Sequence, residues 1–188
     1  RTWLELQGQT CIEFECEIKQ KKSITVSRGF GKASAKFEVV SEALNNYIAM
    51  GAAKLRNQHS VAKKMTVFLE TNEFKEDYDD QWSSVLLSLP VATNFDSELI
   101  KHGALGLRHI YRPGIEIRKV GVSFIDFYPE NEIPGNVFDT LDRKKWRKVT
   151  NASDTINKKY GKGTVRQSSL GFDKTEWDIR QLRKVPHY

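Results

Sequence analysis

The sequence contains few cysteines and no long hydrophobic run. Its two cysteines, Cys11 and Cys16, would point to opposite faces of a strand, so no disulfide is predicted between them. No cysteine or histidine stands near them at metal-ligand spacing, and reduced thiols are typical of a cytoplasmic protein. The longest apolar runs, such as residues 85–87, are far too short to cross a bilayer, so no membrane partner is expected.

The start of the chain has no apolar stretch of the kind that forms a signal peptide. Because it begins with Arg1 rather than Met, we expect a fragment of a longer protein. With 188 residues, 39% hydrophobic and 29% charged, the composition indicates one globular domain with an appendage. The net charge of +6 favours a polyanionic partner.

Acidic residues are absent between Lys19 and Lys36, where six basic residues occur. In the same stretch apolar Ile24 and Val26 alternate with hydroxyl residues, which predicts a strand with one buried and one wet face. Hydroxyls, cations and glycine-freed backbone N–H groups suit a run of phosphates, but an edge strand protected by lysines explains the pattern equally well. The candidate DNA-binding residues of this stretch are Lys22, Ser23, Thr25, Ser27, Arg28, Gly29 and Lys32.

The elements that follow predict an α+β fold of the split βαβ type, β-α-β-β-α-β. Ser34 is the expected cap of a helix that ends near Asn57, and strands are expected at 63–71 and at 82–89, where Pro90 closes the third strand. A capping box at Thr93 starts a second helix, which residues 112–114 end, and a fourth strand covers 115–128. We therefore expect a four-stranded, mostly antiparallel sheet with both helices on one face.

The opposite face of that sheet is expected to stay open and to carry the hydroxyls of the first strand together with Arg118 or Lys119. Residues 1–20 are interpreted as an extended linker, 21–128 as the domain that contains this sheet and 129–188 as a C-terminal extension. Within the extension we expect a basic segment at 142–148, a short helix at 153–160, a short strand at 164–166 and a last turn at 177–182.

Other polar groups suggest weaker alternatives. His102 and His109 lie seven residues apart on a helix, but without a third ligand packing is a better explanation than zinc. The acidic run at 70–80 is far better explained as a solvated loop than as a metal site. Trp146, among basic residues, either stacks on a base or anchors the extension. No nucleophile, general base or metal cluster can be assembled, so no catalytic residue is predicted.

The amino-acid sequence of several segments resembles the C-terminal region of UmuC-type Y-family DNA polymerases, which are lesion-bypass enzymes. The resemblance covers nearly the whole chain in order and is specific in combination. The matching runs are Lys22–Gly31, Ala53-Lys54-Leu55-Arg56, 69–74, 110–114, Lys119-Val120-Gly121-Val122, 154–157, 161–164, Trp177 and Pro186-His187-Tyr188.

The resemblance implies that the split βαβ unit is a "little finger" domain, which holds primer-template DNA mainly through phosphates. By the same resemblance Ser23, Ser27, Arg28, the backbone at Gly29, and Lys119 are the expected phosphate contacts. Such contacts position DNA without reading its sequence, as lesion bypass requires. The polymerase chemistry and its Mg²⁺ belong to a palm domain upstream of this chain, so no cofactor is expected here.

For the extension, the resemblance implies partner docking to a UmuD-type dimer, a RecA filament and the sliding clamp. The expected clamp-binding peptide aligns with Asn136, Val137 and Phe138. Pro134 and Gly135 stand where the family has Gln and Leu, so the glutamine that docks in the clamp is missing. Three hypotheses remain: a DNA-binding part of a translesion polymerase acting in the SOS response, a protein-interaction module, and, last, a stand-alone enzyme.

Overall fold

The computed structural model describes residues 1–11, 20–71, 82–133, 139, 141–171 and 177. Its elements, in chain order, are α1 (Thr2–Leu6), β1 (Ile24–Ser34), α2 (Phe37–Asn57), β2 (Ser60–Thr71), β3 (Trp82–Thr93), α3 (Asp96–Ile110), β4 (Ile117–Pro129), α4 (Arg143–Tyr160) and a 3-10 turn at Ser168–Leu170. Within these described ranges, no helix is both long enough and apolar enough to span a bilayer.

The four strands form one antiparallel sheet in the order β1-β4-β2-β3. This confirms the predicted α+β class and the mostly antiparallel sheet. Val26, Val122 and Val67 lie opposite one another across β1, β4 and β2, and all three are buried. Rows of this kind form the sheet side of the core.

Helices α2 and α3 supply the other side of the core. The apolar residues of α2 recur every three or four positions, so that Val40, Leu44, Ile48 and Leu55 form one fully buried stripe. Leu99 and Leu107 of α3 join the same cluster. Both helices therefore cover one face of the sheet, as predicted.

Strand β1 is longer than predicted, because it continues through Gly29, Phe30 and Gly31 to Ser34. The pairing with β4 shifts between Gly29 and Ser34, an irregularity that lets the strand continue past the glycines. Ser34 is consequently the end of a strand and not the helix cap that we predicted. Lys36 takes the cap position, and its N–H donates to Ser34 Oγ at 3.2 Å.

Strand β3 does not close at Pro90, contrary to prediction, and runs on to Thr93. Proline has no N–H to donate to a neighbouring strand. The pairing of β3 with β2 shifts register between Ala62 and Lys64, whose partners Thr93 and Ser88 lie on either side of Pro90. The predicted capping box at Thr93 is wrong, because Thr93 is the last residue of β3 and Phe95 takes the cap position of α3. The N–H of Phe95 donates to Thr93 Oγ1 at 3.2 Å, and the Thr93 hydroxyl donates to the Glu98 carboxylate.

The C-terminal extension contains a longer helix than the sequence indicated. Helix α4 begins at Arg143, where the Asp142 carboxylate accepts a hydrogen bond from the N–H of Lys145 at 3.0 Å, so the predicted basic segment is helical. The predicted strand at 164–166 is wrong, since Val165 instead folds back onto α4 through two backbone bonds to the Asn157 side chain, both 2.8 Å. At the other end of the chain, residues 2–6 are helical and not extended.

The extension is attached to α2 by apolar contacts beyond α4. Leu170 is buried in the core, and the Trp177 ring packs edge-on against Tyr47 at 5.6 Å between centroids. The Trp177 indole N–H donates to Glu42 at 3.2 Å, and the Asn46 amide donates to the Leu170 carbonyl at 2.9 Å. These residues, rather than Trp146, anchor the extension. The predicted last turn at 177–182 lies, except for Trp177, outside the described residues.

A buried charge cluster joins α2, α3 and α4. The Arg56 guanidinium donates to both carboxylate oxygens of Asp154, at 2.6 and 3.0 Å, and to Asp96 and the Asn94 carbonyl, both at 2.8 Å. Burial raises the pKa of Asp96, while Arg56 opposes that shift. Every charge in the cluster has a partner, so the cluster holds three helices together.

Candidate nucleic-acid interface

The face of the sheet opposite α2 and α3, here called the open face, is not covered by any element that the structure describes. Strand register assigns its residues, because directly opposed residues of paired strands share a face. Its members are Thr25, Ser27, Gly29, Lys64, Thr66, Phe68, Glu70, Trp82, Ser84, Leu86, Ser88, Lys119, Gly121, Ser123 and Ile125.

Hydroxyl groups occupy one transverse row of the open face. Thr25, Ser123 and Thr66 lie opposite one another on β1, β4 and β2, and the Thr25 and Ser123 hydroxyls are 2.8 Å apart in a hydrogen bond. Ser27 follows in the next row. The structure thus places Thr25 and Ser27 together on a wet surface, as their alternation with Ile24 and Val26 predicted.

Aromatic rings occupy the half of the open face nearer β3, a feature that sequence reasoning missed. Phe68 is buried there beneath Trp82, whose ring stacks on it at 4.9 Å with 13° between the planes. The Phe68 ring lies over Gly121, where an added Cβ would overlap both that ring and the Ser27 side chain. Period-2 alternation places Phe68 and Val67 on opposite faces of β2. Only the register shows that Trp82 and Gly121 surround Phe68.

Lys119 lies on the open face but is not a free cation. Its ammonium donates to the Glu70 carboxylate at 2.8 Å, across the β2–β4 pairing. The sequence offered no sign of this pair, because the two residues lie 49 positions apart. A partly exposed ion pair of this kind neutralises much of the charge that a phosphate would meet.

Arg28 is exposed, but it does not share a face with Thr25 and Ser27. It lies opposite Val120, a core residue, so its side chain leaves β1 on the helix side at the free edge of the sheet. Arg118 is exposed next to the irregular end of β1, where its carbonyl lies 3.7 Å from the Cβ position of Gly29. Both arginines therefore lie beside β1 and not on the open face itself.

Five exposed cations line this edge, and we call them the basic rim. Among the described residues none of them forms an ion pair. The basic rim consists of Lys21, Lys22, Arg28, Lys32 and Arg118. A shallow groove lies where β1 begins. It is bordered by Lys21, Ser23 and Thr25, together with Lys54 and Gln58 at the end of α2.

One predicted site and most of one predicted loop lie outside the described residues. Asn136, Val137 and Phe138, the expected clamp-binding peptide, are among them, as are residues 72–80 of the acidic run. The described part of the chain contains no group of three or more His, Cys, Asp or Glu side chains placed to hold a metal ion. His102 instead has its Nδ1 2.9 Å from the Glu98 carbonyl within its own helix.

Comparison with known proteins gives two family matches. Residues 21–136 match the impB/mucB/samB family C-terminal domain, and residues 147–188 match a domain of unknown function. Among curated relatives, the chain is 29% identical over the whole of its own length to Protein UmuC of Salmonella typhimurium. It is 29% identical over 96% of its length to Protein ImpB of the same species. It is 30% identical over the whole of its own length to Protein MucB of Escherichia coli. The chain spans only 42–44% of each of those relatives.

Solved structures similar to this chain include a Y-family DNA polymerase chimera of Dbh and Dpo4 and an insertion ternary complex of Dbh DNA polymerase. Each is 12% identical and covers 66% of this chain and 33% of the matched chain. Their TM-scores are 0.41 and 0.43.

Proposed function

Because the chain belongs to the impB/mucB/samB C-terminal domain family, we propose that it is the DNA-holding part of an error-prone translesion DNA polymerase of the SOS response. In this proposal the split βαβ unit, residues 21–128, binds the backbone of primer-template DNA without reading its sequence. Residues 129–188 form an extension for partners, and the nucleotidyl transfer with its metal ions takes place on the part of the protein that this chain does not include.

The observation that carries the proposal is the basic rim beside the hydroxyl row. Exposed cations beside β1 and hydroxyl donors on the adjoining open face form the set of groups that protein–DNA interfaces use for phosphates. Lys21 and Lys22 precede β1, Arg28 lies near its middle and Lys32 lies near its C-terminal end. A phosphate strand running along β1 would meet cations over its whole length.

Lys119 has a secondary role in this proposal. Its charge is shared with Glu70, so its loss should cost less DNA affinity than the loss of an unpaired rim cation. Conversely, Glu70→Gln should strengthen binding, because it removes a negative charge from the open face and releases the Lys119 ammonium.

The experiment is a titration of the chain into fluorescent primer-template DNA at several salt concentrations. We expect weak, sequence-independent binding. The logarithm of the association constant should fall linearly with the logarithm of the salt concentration, with a slope of about −0.9 for each phosphate neutralised. Arg28→Ala should flatten that slope by about one unit. Lys119→Ala should flatten it by clearly less, and Glu70→Gln should raise the affinity.

Lys101→Ala is the matched control, since Lys101 is an exposed lysine of α3 on the far side of the sheet. It should leave the slope unchanged. Absence of DNA binding even at low salt, or equal effects of Arg28→Ala and Lys101→Ala, would contradict the proposed interface. Docking to a UmuD-type dimer, a RecA filament or the clamp stays a prediction of the family resemblance, and a cytoplasmic location stays a prediction from the two reduced cysteines.

A further inference from the structure

Helix α4 contacts the rest of the protein through its polar side. Arg143 pairs with Glu98 at 3.1 Å, Arg147 pairs with Glu130 at 3.3 Å, and Asp154 binds Arg56. Successive members of this set lie four and seven residues apart, so they share one side of the helix. An amphipathic helix ordinarily buries its apolar side, and this one does not.

The apolar side of α4 is left exposed as a regular seam. Trp146, Val149, Ser153, Ile156 and Tyr160 follow one another at spacings of three, four, three and four residues. The large members are well exposed, Trp146 and Ile156 at 37%, Val149 at 51% and Tyr160 at 66%. At 1.5 Å per residue the seam is about 21 Å long.

A strict alternation of three and four residues is the pattern of a coiled-coil seam, in which the apolar residues occupy the a and d positions of a heptad. Taking Trp146 as position a, Lys145 and Lys159 both fall at position g, next to the seam. Position g is where coiled coils place the charges that select a partner helix. The small Ser153 in the middle of the seam allows a close approach.

The charges of α4 determine which partner fits. Five exposed lysines lie on α4, namely Lys144, Lys145, Lys148, Lys158 and Lys159, and none forms an ion pair among the described residues. Of these, Lys145 and Lys159 flank the seam. The two acidic residues are already engaged, because Asp142 caps the helix and Asp154 binds Arg56. A second copy of this helix would therefore offer no free carboxylate to Lys145 and Lys159.

Two other polyanionic partners fit the seam less well. DNA phosphates would pair with the lysines but would leave the apolar seam in water. A membrane-surface helix has a broad apolar face, whereas this seam is as narrow as an a/d stripe.

We propose that α4 is a docking helix for an acidic amphipathic helix of a partner protein, which packs on Trp146, Val149, Ile156 and Tyr160 and pairs its carboxylates with Lys145 and Lys159. This assigns a role to part of the segment that matches a domain of unknown function. The proposal does not depend on DNA binding, because α4 contributes no residue to the open face.

The test uses a designed 21-residue peptide with Leu at positions a and d and Glu at e and g, labelled with a fluorophore. Its glutamates keep it from pairing with itself at neutral pH. We expect saturable binding to the whole chain that weakens as salt rises from about 50 to about 300 mM. Val149→Glu with Ile156→Glu should weaken binding at least about tenfold, with an unchanged circular dichroism spectrum because both side chains are exposed.

A charge exchange provides the second variant. Lys145→Glu with Lys159→Glu should weaken binding of the acidic peptide about tenfold and allow binding of the same peptide with Lys at e and g. Lys101→Glu with Arg108→Glu, two exposed positions of α3, alters the net charge equally and should leave both affinities within about twofold.

Four outcomes would overturn the proposal. Two concern the peptide: no saturable binding of the acidic peptide at low salt, or equal effects of the α4 and α3 charge reversals on its binding. The other two are a homodimer that Val149→Glu with Ile156→Glu dissociates, and, in the absence of peptide binding, binding to phosphatidylserine vesicles that the same double variant abolishes. Sedimentation and vesicle pelleting supply the last two measurements.

Discussion

Gly121 shows how one missing side chain shapes the open face. The residue lies on β4 between Ser27 of β1 and Phe68 of β2, and the Phe68 ring occupies the space above it. Trp82 then stacks on the outer side of that ring. The exposed aromatic half of the open face therefore depends on a position that presents no side chain at all.

Substitution of Gly121 should destabilise the fold. Gly121→Ala places a Cβ into the Phe68 ring and the Ser27 Cβ, and we expect the free energy of unfolding to fall by about 1–3 kcal/mol, as for other overpacked sites. Urea denaturation followed by circular dichroism measures the change. Gly29→Ala is the control, because a Cβ there meets only the Arg118 carbonyl at an ordinary 3.7 Å. Equal stability of the two variants would contradict the described packing of Phe68.

At the scale of elements, the Arg56 cluster decides how α4 is placed. The guanidinium lies in the last turn of α2 and reaches the start of α3 through Asp96 and the middle of α4 through Asp154. Its side chain is 11% exposed, so the charges it pairs are shielded from water on the arginine side. Loss of one partner would leave carboxylates without compensation.

Arg56→Met should therefore be costly in a pH-dependent way. At neutral pH we expect a loss of about 2–4 kcal/mol in the free energy of unfolding, because Asp96 stays buried and charged without its arginine. The pKa of Asp96 is already raised by burial, and removal of Arg56 raises it further. A carboxyl whose pKa is higher in the folded state destabilises the fold above its unfolded pKa and ceases to do so when it is protonated.

The loss should consequently be smaller near pH 4 than at pH 7, which urea denaturation at both pH values can measure. Arg147→Met is the matched control, since Arg147 is 45% exposed and pairs with Glu130 at the surface. We expect it to cost less than about 1 kcal/mol. A loss for Arg56→Met that does not change with pH would show that the buried Asp96 charge is not its cause.

At the scale of the whole molecule, the two candidate surfaces lie on different sides. The extension packs on α2 through Leu170 and Trp177, on the helical side of the sheet, while the open face lies on the other side. The core of the sheet domain thus includes a residue from the extension, although the family matches divide the chain between residues 136 and 147.

Leu170→Ala should reveal this shared core. We expect a loss of about 2–3 kcal/mol in the free energy of unfolding, as for other buried leucines, and faster amide hydrogen exchange in α2 as well as at Ser168–Leu170. Val165→Ala, at a 41% exposed position of the same extension, should change neither the free energy of unfolding nor the rate of amide exchange. Faster exchange confined to the extension would indicate that it is not part of the domain core.

Periodicity was sufficient for most of the fold. The three- and four-residue spacing of Val40, Leu44 and Ile48 predicted α2, and the alternation of Ile24 and Val26 predicted β1 with its wet face. The ends of elements were harder, because Gly29 and Pro90 act as breakers only where no neighbouring strand holds them. Both lie in strands whose irregular pairing accommodates them.

The candidate interface was predicted only in part, for a physical reason. The composition of the basic stretch and the alternation of Thr25 and Ser27 are local properties, so the sequence by itself determined which strand is basic and which of its faces is wet. The pairing of Lys119 with Glu70, the stacking of Trp82 on Phe68 and the exposure of the α4 seam involve residues distant in the chain or depend on which side of a helix meets its neighbours. Only the tertiary structure decided them, because register and helix orientation result from the packing of the whole core.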